Sequence, residues 1–477
     1  MPLILPANTL SDAGYDIANS CRFNRADSAT LSRTLASGSS TTKFTLSFWF
    51  KAYTLSGTAR FFHCDGTRDT YMRWNSSGTV EIGLHDNSGD VGAIITNRLF
   101  RDPSAWMNFV IRFDSTESAA NDRFRFYVNG VDERGVGGYS TDTMPDADDV
   151  CQVNLSGNAQ KIGGKSAQYV DGYLAEMILS MGYSYAPTEF GEFDEDSPTI
   201  WKPKEFGGTI GTNGFYLDFE ASGNLGNDVS GGTDFDENNI VAADQATDSP
   251  TNNFCVMNPL DNNQHVSVFS EGNCKFQTTN TAFGYNTGTI GVSTGKWYYE
   301  CEVLAESAAQ MSQIGFSDNT GEEQYLQNNC YPYVGSSVNG YGYSANGYYK
   351  NNNSQSPTGF STYTTDIISV YLDLDNSEIY WAKNDTMENS GTGKWGAALP
   401  AGTFMFPACA DFSTPSYNVL LGANFGGCPP VAPDSAVADA EGYGAFEYDP
   451  SRGGASDFDS GAKDFLAICT KNLAEYG

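Results

Sequence analysis

The chain has 477 residues, of which 58 are Asp or Glu and 26 are Lys or Arg, for a formal charge of −32. That length exceeds one ordinary hydrophobic core and suits two large domains, and the negative surface repels a phosphate backbone, which argues against a nucleic-acid partner. With 51 Gly, 27 Tyr and 30 Phe and no long runs of helix formers, the composition points to β structure, with helix expected only in the last turns.

In chain order, residues 1–20 (MPLILPANTLSDAGYDIANS) have no basic n-region and no long apolar h-region, so they read as an attachment segment rather than a signal peptide or membrane anchor. From residue 21 to 220, alternating or apolar runs are separated by Gly, Asn, Asp and Ser clusters, the pattern of strands and turns. Thr45-Leu46-Ser47-Phe48-Trp49-Phe50 alternates as a half-buried strand does, and Met107 to Phe113 repeats the pattern. Phe124 to Val128 runs into Asn129-Gly130, a strong hairpin signal. Residues 221–265 are rich in Gly, Asn, Asp and Ser and read as a linker or long loop. Strands resume over 266–477, notably Trp297 to Val303, Gln313 to Phe316, Ile367 to Leu374 and Ile379 to Trp381. The Tyr- and Asn-rich stretch 339–360 reads as a strand pair with polar loops. No repeat of 20–50 residues is visible, which argues against solenoids and propellers.

The first half, with Cys21-Arg22-Phe23, Ser28 to Arg33, FTLSFWFK, FRFYVNGV, Asp171 to Glu176 and Gly214 to Phe219, resembles a laminin-G or concanavalin-A-like domain. The second half, with IGVSTGKWYYECEV, QIGFSD, TTDIISVYLDLDNSEIYWAKND and Ala423 to Gly426, resembles a SPRY domain. Together with FGEFDEDSPTIWKP and SPTNNFCVMNPLDN, the chain is similar to fibre or lectin-like proteins of marine tailed phages. The fold expected is therefore all-β, two tandem antiparallel β-sandwiches of jelly-roll type. The resemblance implies a virion surface protein, made in the host cytoplasm and released by lysis, that recognises a host-surface glycan or protein without catalysis. It also implies other virion proteins as partners and a homo-oligomer, with a trimer favoured. A capsid or tail decoration protein and a glycan-degrading hydrolase are the alternatives.

Chemistry-bearing motifs are sparse. Ten single cysteines without a C-x-x-C pair argue against zinc and suit mostly reduced thiols. Three histidines, His63, His85 and His265, leave little for a metal centre or a Ser-His-Asp arrangement, and His63 reads as a satisfied core or edge residue. No phosphate-binding glycine loop is present. Asp373, Asp375 and Glu378 are the best acidic set for glycan hydrolysis, but Asn376-Ser377 is turn chemistry and the set reads as a capped hairpin. Glu192 to Asp196 reads as a solvated loop. No cofactor is expected other than calcium, which some laminin-G-like domains hold; Asp65, Asp69 and Asp86 are the candidate ligands. For ligand binding, Tyr341, Tyr343, Tyr348, Tyr349, Asn351 and Trp395 fall in segments resembling SPRY loops, with aromatic faces and amides suited to sugars.

Overall fold

The computed structural model describes residues 14–38, 41–54, 57–86, 88–195, 197–261, 267–278, 282–306, 312–318, 334–357, 359–396, 399–413, 419–452, 457–458 and 463–477. Cys330, His265, Asp196 and most of the expected attachment segment lie outside them. The protein is all-β and antiparallel in architecture, with two compact units, Asp12–Thr251 and a second that runs from Asn252 to Gly477.

In the first unit two sheets face each other across one core. One sheet runs Val131–Asp132, Phe124–Val128, Met107–Asp114, Lys43–Ala52, Gly172–Met181, Ser20–Phe23 and Gln245–Ala246 in hydrogen-bonded order, with Phe215–Leu217 also on Gly172–Met181. The other runs Tyr139–Thr143, Asp90–Thr96, Val80–His85, Thr70–Trp74, Ala59–Cys64, Ala159–Ile162, Thr30–Thr34 and Asp236–Asn238. Their inner faces supply Phe48, Phe61, Trp74, Phe109, Phe126 and Leu174 to the core, where Phe48 and Phe109 meet edge-on at 5.6 Å. The expected hairpin forms, with Asn129 at φ 48° and Gly130 at φ 75° closing Val128 onto Val131.

Lys43–Ala52 is not half-buried; all but its first residue are buried. Its outer face is covered by the connector after residue 181. Phe190 and Phe206 stack at 4.9 Å and form a second cluster with Val110 and Ile178. The Trp201 indole donates to Asn108 at 3.2 Å. A half-polar strand thus became an interior one because a later segment folded over it, which alternation alone cannot show.

The second unit repeats the plan. One sheet follows the order Ser267–Ser270, Lys275–Thr278, Val419–Asn424, Lys296–Glu306, Ile367–Asp373, Glu378–Lys383 and Thr386–Met387, with Leu466–Ala467 added in parallel on Lys296–Glu306. The facing sheet is Ala282–Thr287, Phe406–Ser413, Gln313–Ser317, Tyr341–Ser344, Tyr348–Asn351 and Ser354–Ser356. The Tyr- and Asn-rich stretch holds the expected strand pair, Tyr341–Ser344 with Tyr348–Asn351, and a third short strand, Ser354–Ser356, and Thr470–Tyr476 is the expected closing helix. Nine cysteines are described, all of them buried thiols.

Within the stretch expected as a linker or long loop, residues 221–261 carry strands of the first unit and the start of the second. Asp236–Asn238 extends one sheet of the first unit and Gln245–Ala246 the other. From Asn252 onward the chain belongs to the second unit, where Cys255 N–H donates to Ile468 O at 2.9 Å. Polar composition misleads here because a few apolar anchors, Leu225, Phe235 and Ile240, enter the core while backbone pairing and buried salt bridges hold the polar residues between them.

Candidate ligand site

The aromatic residues expected as a ligand platform divide between core and surface. Tyr341 and Tyr343 are fully buried, and the Tyr343 hydroxyl donates to Ser361 O at 2.7 Å. They belong to the core, because period-two alternation in Tyr341–Ser344 turns both rings inward. Trp395 stacks on Tyr341 at 4.7 Å and 12°, a half-buried lid on that core rather than an open face. Tyr349 packs on Phe360 at 6.1 Å, Asn351 donates to Val338 O and Gly340 O, and Tyr348 is half-buried.

Of the calcium candidates, Asp65 and Asp69 converge on one lysine and Asp86 caps a separate turn. Lys165 Nζ lies 2.5 Å from Asp65 and 2.9 Å from Asp69, and Arg60 lies 3.0 Å from Asp69, so protein cations occupy the place an ion would take. Burial opposes ionisation of Asp65, but the Lys165 and Lys161 hydrogen bonds outweigh it and hold its pKa low. Asp86 caps its own turn, accepting from Ser88 N–H and Gly89 N–H at 2.6 Å each. Among the described residues no three His, Cys, Asp or Glu side chains form a metal-binding group.

Asp373 and Glu378 face each other across the expected hairpin, and Lys463 bridges them at 2.7 and 2.6 Å. Asp375 is tied to Lys296 at 2.7 Å. This set is thus built into the fold and presents no open cleft between two carboxylates. The acidic connector is an ordered strand pair, Gly191–Phe193 with Trp201–Pro203, whose Asp194 lies 3.4 Å from Lys202. His63 is fully buried as expected, yet both ring nitrogens lack hydrogen bonds; burial drives its pKa down to about 4, so it stays neutral.

The first sandwich also assembles a groove from strand ends and a polar loop that carry no site motif in the sequence. A groove of about 720 Å³ lies between residues 33–37, 210–214 and 230–233. Its lining is short and neutral, with Thr34, Ser37, Thr212, Asn213, Ser230 and Thr233 supplying hydroxyl and amide groups. Arg33, its one charged lining residue, is buried and knits the walls together. Its guanidinium donates to Asp228 at 3.2 Å, Thr233 O at 2.9 Å, Asn213 O at 2.8 Å and Gly214 O at 3.0 Å. Its planar face lies 4.6 Å from the Phe235 ring centre and 5.1 Å from that of Phe215. Burial lowers the Arg33 pKa and the Asp228 carboxylate opposes that shift, so the pair is internally neutralised.

Asn213, at φ 64°, turns its amide onto Ser37 O and Asn154 at 2.6 Å each. Asp228 accepts from Ser230 N–H and Oγ and from Tyr216 N–H. These bonds hold the loops in place before any ligand arrives. Beside this wall, Tyr183 and Tyr185 stack at 5.8 Å and 12°, and the Tyr185 hydroxyl accepts from Thr209 N–H at 2.7 Å, one residue before the lining begins. Tyr183 is 42% exposed, so its ring face is available to solvent. Ile-Gly-Thr-Asn-Gly at 210–214 and Ser-Gly-Gly-Thr at 230–233 signal turns in the sequence; nothing in it says that they meet.

Residues 23–181 match the family model described as the concanavalin A-like lectin/glucanases superfamily. Among solved structures, the SPRY domain of human HERC1 is 15% identical, covering 36% of this chain and 97% of that one, with a TM-score of 0.28. A heptameric SAP-like pentraxin from Limulus polyphemus is 16% identical over 35% of this chain and 77% of its own, with a TM-score of 0.25. A second human SPRY domain is 12% identical over 31% and 90%, at 0.22. The first sandwich is therefore concanavalin-A-like by sequence, and the fold class rests on the sheets described above.

Proposed function

We propose that this protein is a non-catalytic recognition protein of a virion surface that binds a host glycan in the groove of its first sandwich. The groove itself carries the reading, since a volume of about 720 Å³ walled by neutral hydroxyls, amides and backbone suits a polyhydroxylated ligand. Tyr183, 42% exposed and stacked on the Tyr185 that accepts from Thr209 N–H, offers a further ring surface for the C–H patches of a sugar. The concanavalin-A-like match over residues 23–181 supports a lectin-like role. The resemblance of the connector and of the SPTNNFCVMNPLDN phrase to marine tailed-phage fibres supports the virion setting, with other virion proteins and further copies of the chain as partners.

The test is a glycan array read with the intact chain and with Ala36→Trp, which fills the groove from an exposed bend just after the Thr30–Thr34 strand. Binding to host-envelope glycans should fall at least about tenfold in the variant, the equivalent of ~1.4 kcal/mol. Equal binding by both proteins, or none to any envelope fraction, overturns the groove assignment. Immunogold labelling of purified particles tests the setting: label on the tail or head surface supports it, and label absent from particles refutes it. Sugar released from envelope polysaccharide would refute binding without catalysis.

A further inference from the structure

The acidic hairpin that makes no open cleft holds a second kind of chemistry. Lys463 Nζ lies 2.7 Å from Asp373 Oδ2, 2.6 Å from Glu378 Oε2 and 2.9 Å from the Tyr380 hydroxyl. The Asp373 side chain is fully buried and that of Lys463 is 5% exposed. Around them Tyr371, Tyr380, Phe458 and Phe465 form an aromatic cluster, with the ammonium 4.8 Å from the Tyr380 ring centre. Asp373 Oδ1 accepts from the Asn376 N–H at 3.0 Å. The Tyr380 hydroxyl donates to Glu378 at 2.5 Å.

We propose that Lys463 and Asp373 join in an intramolecular isopeptide bond, with Glu378 carrying the proton between them. An amine and a carboxyl group held in contact inside an apolar shell meet at a very high effective concentration, and the shell excludes the water that would reverse the reaction. A buried ion pair is also costly to keep charged, which brings its neutral amine and acid forms closer in energy.

The step balances without any other reactant. Nζ passes one proton to Asp373 Oδ2, leaving a free amine and a carboxylic acid. The amine attacks Cγ, and the negative charge that develops on Oδ1 faces the Asn376 N–H, as an oxyanion requires. Glu378 takes a proton from the nitrogen and delivers it to the departing Oδ2 hydroxyl, which leaves as water. One C–N bond forms and one C–O bond breaks, and the ammonium and carboxylate become an amide and water.

Burial on its own would depress the Lys463 pKa, but its hydrogen bonds to Asp373, Glu378 and Tyr380 more than reverse this and hold it above the ordinary lysine value. The charged form therefore dominates at any instant, and the bond forms as a slow maturation through the minor neutral pair. Once formed, it ties the Lys463–Asp464 strand to the end of Ile367–Asp373, positions 90 residues apart. That would lock the C-terminal return of the second sandwich against unfolding.

Mass spectrometry of the full chain under denaturing conditions tests this. The wild-type protein should weigh one water less than its sequence, and proteolysis should release a branched peptide joining the segments around Asp373 and Lys463. Lys463→Arg and Asp373→Ala should show the full linear mass. Glu378→Gln should also stay linear while keeping its β-sheet circular dichroism, which separates loss of proton transfer from loss of fold. A wild-type chain of full mass, with no branched peptide after prolonged incubation, overturns the proposal, and a Glu378→Gln chain that cross-links as fast as wild type overturns the role of Glu378.

Discussion

The two sandwiches close in parallel ways with different chemistry. In the first, the chain after residue 220 returns to add a strand to each sheet, and buried cations hold it, among them Arg22 on Asp244 at 3.1 Å. Arg33 clasps Asp228, and Lys51 clasps Asp248 at 2.6 Å while the Trp106 indole donates to the other Asp248 oxygen at 3.0 Å. In the second, the return adds Leu466–Ala467 in parallel, and Asp439 accepts from Ala467 N–H and the Asn472 amide at 2.8 Å each. Lys463 then meets two carboxylates instead of one. A single buried pair is a clasp, whereas a lysine with two carboxylates and an N–H aimed at one of them is also a reaction centre. With the proposed lysine–aspartate bond, the same burial of charge serves shape in one domain and covalent chemistry in the other.

The largest effect should come from breaking the first clasp. Arg33→Ala leaves the fully buried Asp228 carboxylate without its cation, at a cost of about 5 kcal/mol. Urea unfolding of the first sandwich followed by tryptophan fluorescence would measure it. A loss below about 1 kcal/mol would mean that the return is held by its backbone pairing instead. Next is Tyr341→Ala, which empties a core position and should cost about 3–4 kcal/mol. Little change in the unfolding midpoint would restore Tyr341 as a surface platform.

The smallest effect concerns pH and compares one glutamate from each unit. Burial pushes Glu176 up to about 7, and it likewise raises Glu300 to about 7 against the donors it accepts from Tyr298, Asn424 and the Glu447 and Tyr448 backbone. Because these folded pKa values lie above the ordinary 4.5, the native state binds more protons than the unfolded chain between pH 4.5 and 7. Their contribution is fully present below pH 4.5 and is lost as pH rises through 7, by at most about 3 kcal/mol each. Glu176→Gln and Glu300→Gln remove that slope, so each variant should gain stability relative to wild type between pH 4.5 and 8 in denaturant titrations. With both carboxyls raised to about 7, the two slopes should be alike, and a flat profile for either wild-type glutamate would show that its carboxyl stays ionised in the fold.

Much of the fold was legible because strand periodicity is local. Trp297 to Val303 and Ile367 to Asp373 lie in the paired strands the pattern indicated, and the Asn129-Gly130 and Asn376-Ser377 turns close the hairpins they signal. Aromatic residues were harder to place, since Tyr341 and Tyr343 look the same in sequence whether they line a loop or a core. Glu176 was expected in a core strand and is there, but at φ 48°, in a bulge between Ala175 and Ile178 where its carboxyl meets the Tyr216 hydroxyl.

By itself, then, the sequence determined the strands, their turns and the two apolar cores, all of which follow from residues within a few positions of one another. Tertiary structure alone decided which polar groups meet. Arg33 and Asp228 are 195 residues apart, and Lys463 and Asp373 are 90 apart. A charge in a polar stretch reads as solvated until the fold removes the water and supplies a partner. The groove, the two closures and the lysine–aspartate contact all arise at that step, because desolvation and pairing belong to the assembled sandwich and not to any segment of it.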